Sequence, residues 1–196
     1  MVDEKITLRI FEHYFGAAHI IKGGRYAFSD DGSELHVYGP LFSKIGLTMP
    51  DGMWPLQFGV IQGDVDISNS GLRSLEGSPR EVYGNMNIAN NPLTSLAGCT
   101  KKITGVLNIT GIEFQSLEGL PPDLLVRVTW YRQMPMMRLL TCKRILLSQQ
   151  QMQENSDSPA QKVLAILRKH QVNGKRAMFD CQKELEDKGF EDNAKW

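Results

Sequence analysis

Residues 63–125 read GDVDISNSGLRSLEGSPREVY, GNMNIANNPLTSLAGCTKKIT and GVLNITGIEFQSLEGLPPDLL, three consecutive units of 21 residues. When the units are superimposed, apolar residues and glycines recur at fixed positions. The apolar columns are Val65/Met86/Leu107, Ile67/Ile88/Ile109, Leu72/Leu93/Phe114, Leu75/Leu96/Leu117 and Val82/Ile103/Leu124, and the glycine columns are Gly63/Gly84/Gly105 and Gly77/Gly98/Gly119. A strict period of this length is typical of solenoids, in which each unit buries its apolar edge against the next.

The second unit shows the expected local structure. Met86 and Ile88 alternate with polar residues, which predicts a short strand with one buried face. A turn of Asn and Pro residues follows the strand. Leu96 then points back into the core, and Gly98 supplies a backbone conformation that other residues reach only with strain. Stacked units of this kind predict a continuous core beside a narrow parallel sheet.

The spacing of Met86, Asn91, Leu93 and Leu96 resembles the leucine-rich-repeat consensus LxLxxNxLxxL. The whole unit is similar to the degenerate short leucine-rich repeats of bacteriophage proteins. This resemblance covers Gly63–Leu125, about a third of the chain, and implies a solenoid without a defined enzymatic activity. The consensus asparagine occurs only in the second unit, so a continuous asparagine ladder is not expected.

Residues 1–62 are predicted to cap the N-terminal end of the solenoid. The segment ITLRIFEHYFGAAHII has the apolar spacing of a short amphipathic helix. Tyr26–Phe28 and Leu35–Tyr38 flank an Asp-Gly turn, which favours a hairpin. Residues 39–62 predict an eroded first coil, because Trp54 and Ile61 fall in two apolar columns of the repeat without a matching glycine.

Residues 127–196 are predicted to be helical. The segment Met134–Met152 lacks glycine and favours a helix that starts near a proline. Ser158 is the expected N-cap of a second helix, and a third helix is expected over residues 175–188. Residues 193–196 are expected to fray.

These patterns predict an α/β fold. A short leucine-rich-repeat-like solenoid with a narrow parallel sheet lies between an N-terminal cap of helix and hairpin and a C-terminal helical region. The predicted domain organisation is 1–62 for the cap, 63–126 for the repeats and 127–196 for the helical region.

Composition and charge restrict the classes of function. The 22 basic and 22 acidic residues balance, but the first 126 residues hold nine basic and fourteen acidic residues, and the remaining 70 hold the opposite excess. This split indicates two regions that have different partners or neutralise each other.

The three cysteines are widely spaced, which favours reduced, buried thiols. The N-terminus lacks the features of a signal peptide, and no apolar run approaches a membrane span. We therefore expect a cytoplasmic protein without membrane contact, in the host cytoplasm or the virion if viral.

Sequence motifs of catalysis are missing. The serines of the repeat have no G-x-S-x-G elbow, and neither a Walker loop nor a dinucleotide fingerprint occurs. The four histidines fall on separate predicted elements, where they could not share a metal or catalytic site. We expect no enzymatic activity, no metal and no cofactor.

The strand residues that face outward are polar. These candidate partner-binding residues are Asp64, Asp66, Asn85, Asn87 and Asn108. They could form a cation site, but two carboxylates on one strand are too few ligands for calcium. A solvated polar face that discourages aggregation is the simplest interpretation. The same face is the leading candidate for contact with a protein, because solenoids bind partners through such surfaces.

The basic residues of the C-terminal region support an alternative. The candidates for nucleic-acid or acidic-partner binding are Arg138, Lys143, Arg144, Arg168, Lys169, Lys175 and Arg176. With Trp130 and Tyr131 nearby, they could contact phosphates and stack on bases. They could equally form solvated helix faces or pair with the acidic half of the chain.

We therefore predict a non-enzymatic protein–protein interaction module, a phage-type adaptor or inhibitor of a host or viral protein. The alternatives are a nucleic-acid-associated protein and a structural virion component.

Overall fold

A computed structural model describes residues 4–16, 25–171 and 174–196 of the chain. The fold is mixed α/β, with parallel strands stacked as a β-solenoid of about five turns. A helix lies at the N-terminal end and further helices lie at the C-terminal end. The predicted fold class is therefore confirmed.

The helices and strands follow one another along the chain in two groups. The N-terminal part and the repeats contain α1 (Glu4–Phe15), β1 (Arg25–Phe28), β2 (Leu35–Tyr38), β3 (Leu41–Phe42), β4 (Phe58–Ile61), β5 (Val65–Asp66), β6 (Glu81–Val82), β7 (Met86–Asn87), β8 (Lys102–Ile103) and β9 (Val106–Ile109). The C-terminal part contains β10 (Leu125–Val128), β11 (Arg144–Leu147), α2 (Gln149–Met152), α3 (Pro159–His170) and α4 (Gly174–Asp187). Short 3₁₀ helices occupy Pro50–Gly52 and Met137–Thr141.

The strands form two sheets that follow the solenoid axis. Sheet A has the order β1-β2-β4-β6-β8, and sheet B has the order β11-β10-β9-β7-β5-β3. All neighbouring strands are parallel except the β1–β2 hairpin, which confirms the turn predicted from the Asp-Gly pair. The sequence indicated one narrow sheet. Sheet A was not predicted because β6 and β8 are two residues long and each has a single buried apolar residue. One apolar residue shows no alternation from which a strand could be recognised.

The 21-residue period is the register of the sheets. Met86 pairs with Val65 on one side and Leu107 on the other, and all three side chains are buried. The chain bends between the sheets at the first glycine of each unit. A Cβ atom on Gly84 would lie 2.6 Å from the carbonyl carbon of Gly63, so the stacked bends leave no room for a side chain.

The N-terminal cap closes one end of the core. The ring of Phe58 lies 5.6 Å, centroid to centroid, from both Phe15 of α1 and Trp54. The eroded first coil is also present, but it is longer than the regular unit, because Leu41 is the residue that pairs with Val65. A glycine does match at that longer spacing, since Gly39 stacks against the bend of the next turn.

The predicted helix over Met134–Met152 is wrong. Within this segment Met137–Thr141 form a 3₁₀ helix and Arg144–Leu147 form strand β11, and only α2 at its end is α-helical. Ile145 and Leu147 are buried while Leu146 faces outward, which is the two-residue period of a strand. Pairing with β10 therefore overrides the local helix preference.

Sheet B continues past residue 126 while sheet A ends at β8. Leu125 pairs with Val106 and with Arg144, so each of the last two turns is shorter than the regular unit. Sheet A stops because prolines replace its next strand. The amide of Lys101 donates to the Arg80 carbonyl oxygen, and Pro122, one repeat later, has no amide hydrogen to form the same bond.

The C-terminal helices cover the open edge of sheet B. Arg168 Nη2 donates to the Ile145 carbonyl oxygen at 2.9 Å, and Gln171 Nε2 donates to that of Cys142 at 2.8 Å. These bonds protect edge carbonyls that could otherwise pair with another chain. The predicted cap of α3 is confirmed, since Ser158 Oγ accepts from the Gln161 amide at 3.3 Å. The buried face of α4 includes Cys181.

The C-terminal tail is packed, and the prediction that residues 193–196 fray is wrong. Asn193 is fully buried, and its Oδ1 accepts from Trp130 Nε1 at 3.1 Å. Its Nδ2 donates to the carbonyl oxygens of Tyr131 and Met134 at 3.1 and 2.7 Å. One amide therefore holds the tail against the loop that follows β10.

Candidate protein-interaction surface

The outward residues of sheet B stand in two straight rows. Row one contains Phe42, Asp66, Asn87, Asn108, Arg127 and Leu146, and row two contains Asp64, Asn85, Val106, Leu125 and Arg144. We call these two rows the outer face of sheet B. Adjacent residues in a row are one strand spacing apart, about 4.8 Å. All five residues predicted to bind a partner lie on this face.

Hydrogen bonds connect the polar side chains of row one. Asn87 Nδ2 donates to Asp66 Oδ2 at 2.9 Å, and Asn108 Nδ2 donates to Asn87 Oδ1 at 2.9 Å. Asp66 Oδ1 also accepts from the amide and hydroxyl of Ser68. The amides therefore form a short ladder with a fixed direction, in which each NH2 group points toward Asp66.

Row two is bonded to the backbone. Asp64 Oδ1 accepts from the backbone amide of Asn85 at 2.7 Å and from Asn85 Nδ2 at 3.1 Å. Asn85 Oδ1 accepts from the amide of Val106 at 2.9 Å. Each side chain thus satisfies a donor at the bend of the following turn. These two residues have a structural role in addition to their position on the predicted surface.

The two ends of the face carry opposite charge. Asp64 and Asp66 lie at the N-terminal end, while Arg127 and Arg144 lie at the C-terminal end. Within the described ranges, none of these four residues has an ion-pair partner within 4.0 Å. The charges of this face are therefore available to an external group.

The outer face of sheet A differs because its charges pair with one another. Arg80 and Lys102 both contact Glu81, at 3.5 and 3.4 Å. Tyr83 Oη donates to Glu81 at 2.9 Å and lowers the pKa of that carboxyl, while it accepts from Lys102 Nζ at 2.8 Å and raises the pKa of that amine. Arg80 also reaches Glu34 at 3.4 Å.

The residues predicted to bind nucleic acid are dispersed. Lys143 and Arg144 are exposed at the start of β11, and Arg138 is half-buried in the preceding 3₁₀ helix. Arg168 is bonded to β11, as described above. Lys169 Nζ contacts Glu184 at 2.7 Å. The side chains of Lys175 and Arg176 lie outside the described residues.

The salt bridge of Lys169 is part of the contact between α3 and α4. Glu184 Oε2 also lies 2.7 Å from His170 Nε2. The hydrogen bonds from Lys169 and His170 lower the pKa of the Glu184 carboxyl. Lys169 therefore has a structural partner, whereas Lys143 and Arg144 have no ion pair within the described part of the chain.

The thiols are unsuited to nucleophilic chemistry. All three cysteines are buried, as predicted. Burial raises the pKa of Cys99 and Cys142 to about 12 and that of Cys181 to about 11, so little thiolate exists near neutral pH. Among the described residues, no group of three His, Cys, Asp or Glu side chains could hold a metal ion. Within the same ranges, no helix is both long and apolar enough to cross a membrane.

Comparison of the chain with protein-family models, curated proteins and solved structures gave no significant match.

Five residues of the outer face were not predicted as site residues: Phe42, Val106, Leu125, Arg127 and Leu146. Arg127 and Leu146 are the two that line the basic end of row one. Arg127 is the residue that pairs with Asn108, whereas the strict period would place Thr129 there. Leu146 lies within the segment that was predicted to be helical. The alternation in Leu125–Val128 and in Arg144–Leu147, both at the same shortened offset from the preceding strand, is the signal that could have identified them.

Proposed function

We propose that this chain is a non-enzymatic protein–protein interaction module that binds its partner through the outer face of sheet B. The observation that carries the proposal is the pair of side-chain rows with carboxylates at one end and arginines at the other, none of which has an ion-pair partner within the described part of the chain. Solenoids use exposed faces of this type for binding. A protein surface with complementary charges would neutralise both ends at once.

The hydrogen bonds of the face favour binding energetically. Asn87 is held by Asp66 and Asn108, so its rotamer is already restricted before a partner arrives. Immobilising a free polar side chain at an interface costs about 0.5–1.5 kcal/mol. The amide ladder avoids much of this cost. Sheet A offers no equivalent, because its charged groups would have to exchange internal partners for external ones.

The resemblance to short repeats of bacteriophage proteins supports a more specific role. We propose an adaptor or inhibitor that acts on a host or viral protein in the host cytoplasm. Binding without catalysis suits the buried thiols. The alternatives, nucleic-acid association through the basic residues and a structural place in the virion, are separable outcomes of one experiment.

The experiment is affinity capture with the tagged full-length chain from bacterial lysates, with and without phage infection and with and without nuclease. Two variants accompany the natural sequence. The double variant Asp64→Asn/Asp66→Asn removes the acidic end of the face, and Glu81→Gln removes one carboxylate from sheet A as the matched control. Thermal unfolding must first show that all three proteins are folded.

We expect one stoichiometric, nuclease-resistant protein with the natural chain and with Glu81→Gln. Its recovery should fall about tenfold with the double variant, since two charge-assisted contacts are lost. A nuclease-sensitive set of proteins would instead support nucleic-acid binding. Recovery only with phage particles would support a virion component, and equal recovery with all variants would contradict the proposed face.

A further inference from the structure

A hollow of about 360 Å³ lies at the basic end of the outer face, beside Arg127. Strand β11 forms one wall with Leu146, and α2 and the residue after it form the other with Gln149, Met152 and Gln153. The hollow opens onto the same face as the polar rows. Its lining combines the positively charged side chain of Arg127, apolar side chains and the neutral amides of two glutamines, and it includes no acidic side chain.

Arg127 has hydrogen-bonding capacity that the fold does not use. Its Nε is buried and has no hydrogen-bond partner among the described residues. A buried donor without an acceptor costs about 1–3 kcal/mol. Because Nε is closed to solvent while the side chain as a whole is half-buried, an external carboxylate would bond to the terminal nitrogens of the same guanidinium. The guanidinium is a planar fork that matches a carboxylate in two parallel hydrogen bonds. Arg144 lies diagonally across from Arg127 and adds positive potential.

The walls of the hollow select for an apolar neighbour of that carboxylate. Leu146 is half-buried, and Met152 is 49% exposed. Methionine is unbranched and adapts its shape to a bound group. Because alternate side chains of an extended segment share one face, an acidic residue with an apolar residue two positions away would fill both the charged and the apolar parts.

The acidic end of the face fixes a second feature of the partner. Asp66 and Arg127 are separated by three strand spacings, which is about 14 Å. An extended peptide covers about the same distance in four residues. A basic residue four positions from the acidic one would therefore reach Asp64 and Asp66.

Building on the proposed function, we propose that the Arg127 hollow binds an acidic side chain and an apolar side chain that are two positions apart in an extended segment of the partner protein. A lysine or arginine about four positions from the acidic residue, on the side away from the apolar one, lies over Asp64 and Asp66. A protein segment fits better than a nucleic acid. A phosphate chain that ran along the face from Arg127 would meet the carboxylates of Asp64 and Asp66 and be repelled.

The test selects peptides from a random dodecapeptide library on the immobilised full-length chain. Selections are run in parallel on the natural chain, on Arg127→Gln and on Arg132→Gln. Arg132 is an exposed arginine that does not line this hollow, so its variant is the matched control. The most enriched peptide, and the same peptide with its acidic residue changed to the amide, are then titrated by calorimetry.

We expect enrichment of an acidic residue with Leu, Ile, Met or Phe two positions away on one side and Lys or Arg about four positions away on the other. The Kd should rise at least about tenfold for Arg127→Gln and for the neutralised peptide, and it should not change for Arg132→Gln. The two losses should not add, because both remove the same contact. Enriched peptides without an acidic residue, no enrichment, or an unchanged Kd for Arg127→Gln would overturn the inference. Displacement of the peptide by a 20-nucleotide oligo-dT that itself binds through Arg127 would also overturn it.

The capture experiment, with Arg127→Gln added as a third variant, separates this inference from the proposed function. If the captured partner is lost with Asp64→Asn/Asp66→Asn but retained with Arg127→Gln, the hollow is not its site while the face still is. If neither variant reduces recovery, both the inference and the proposed function fail.

Discussion

Asn87 Nδ2 donates a hydrogen bond of 2.9 Å to Asp66 Oδ2, and this one bond fixes the direction of the amide ladder on sheet B. A carboxylate only accepts hydrogen bonds, so Asn87 must turn its NH2 group toward Asp66. Its carbonyl oxygen then faces the next strand, where it accepts from Asn108. The acidic residue at one end thus orders a row of side chains that extends toward Arg127.

The substitution Asn87→Asp tests this order at almost constant shape. It places two carboxylates opposite each other without a donor between them. We expect the free energy of unfolding to fall by about 1–2 kcal/mol at neutral pH. Because the repulsion raises the folded-state pKa of the introduced carboxyl above its unfolded value of about 4, the loss should shrink as the pH falls through that raised pKa and should be smallest below about 4.

Urea unfolding at several pH values measures this effect. The control is Asn90→Asp. Asn90 is an exposed turn residue with a left-handed backbone, a conformation that Asp also tolerates. A similar loss in both variants, or a loss independent of pH, would show that the ladder does not order the face.

We expect a larger loss of stability from a substitution of Asn91, because its side-chain amide is buried. Its Oδ1 accepts from the backbone amides of Ser70 and Leu72, and its Nδ2 donates to the carbonyl oxygens of Ile67 and Ile88. Asn91→Ala would leave these groups unsatisfied in the core, so we expect a loss of about 3 kcal/mol. The half-exposed Asn108→Ala should lose at most about 1 kcal/mol. Equal losses in chemical denaturation would contradict the difference in burial.

Two glycines with similar backbone angles give a matched test of packing between turns. Gly119 has φ +88°, and a Cβ there would overlap the carbonyl oxygen of Leu96 in the preceding turn. Gly189 has φ +81°, but nothing lies within 4 Å of its Cβ position. We expect Gly189→Ala to cost about 1 kcal/mol for the backbone alone and Gly119→Ala about 3 kcal/mol or more. Equal shifts in the urea midpoint would mean that the turns are not in close contact.

The packed tail gives a prediction at the other end of the molecule. Asn193→Ala would leave the indole nitrogen of Trp130 and the buried carbonyl oxygen of Met134 without this partner, while the Tyr131 carbonyl oxygen keeps the backbone amide of Met134. We expect a loss of about 2–3 kcal/mol and faster digestion of the last residues by carboxypeptidase. Trp196→Ala, at an exposed position, is the control. Digestion at the same rate in the natural chain and in Asn193→Ala would show that the tail is not held by this amide.

The sequence predicted the solenoid well because its evidence is periodic. Columns such as Val65/Met86/Leu107 repeat a physical requirement three times, so inside and outside could be assigned without knowledge of the fold. The longer turn that begins at Leu41 and the two shorter turns on either side of Leu125 lie outside that period. Their pairing is set by contacts between distant residues, which local propensity does not report.

The same limit explains what was missed at the candidate site. Asp64, Asp66, Asn85, Asn87 and Asn108 lie within the regular repeats and were placed on the correct face. Arg127 lies in row one because β10 follows β9 at an offset shorter than the 21-residue period, which the regular repeats do not show. The segment containing Leu146 was predicted as helix because its Met, Leu and Arg residues favour helices, while its alternation is only four residues long. The charge difference along the face therefore became visible only in the structure.

The most direct test of the central claim is the affinity of the captured partner for face variants of the folded chain. The Kd of the complex with the captured partner would be measured by calorimetry for the natural sequence, for Asp64→Asn/Asp66→Asn and for Glu81→Gln. The measurements would be made at a temperature at which all three proteins are fully folded. We predict a Kd at least about tenfold higher for the sheet B variant and unchanged for the sheet A variant. An unchanged Kd for the sheet B variant, or a weaker complex with Glu81→Gln, would contradict the central claim.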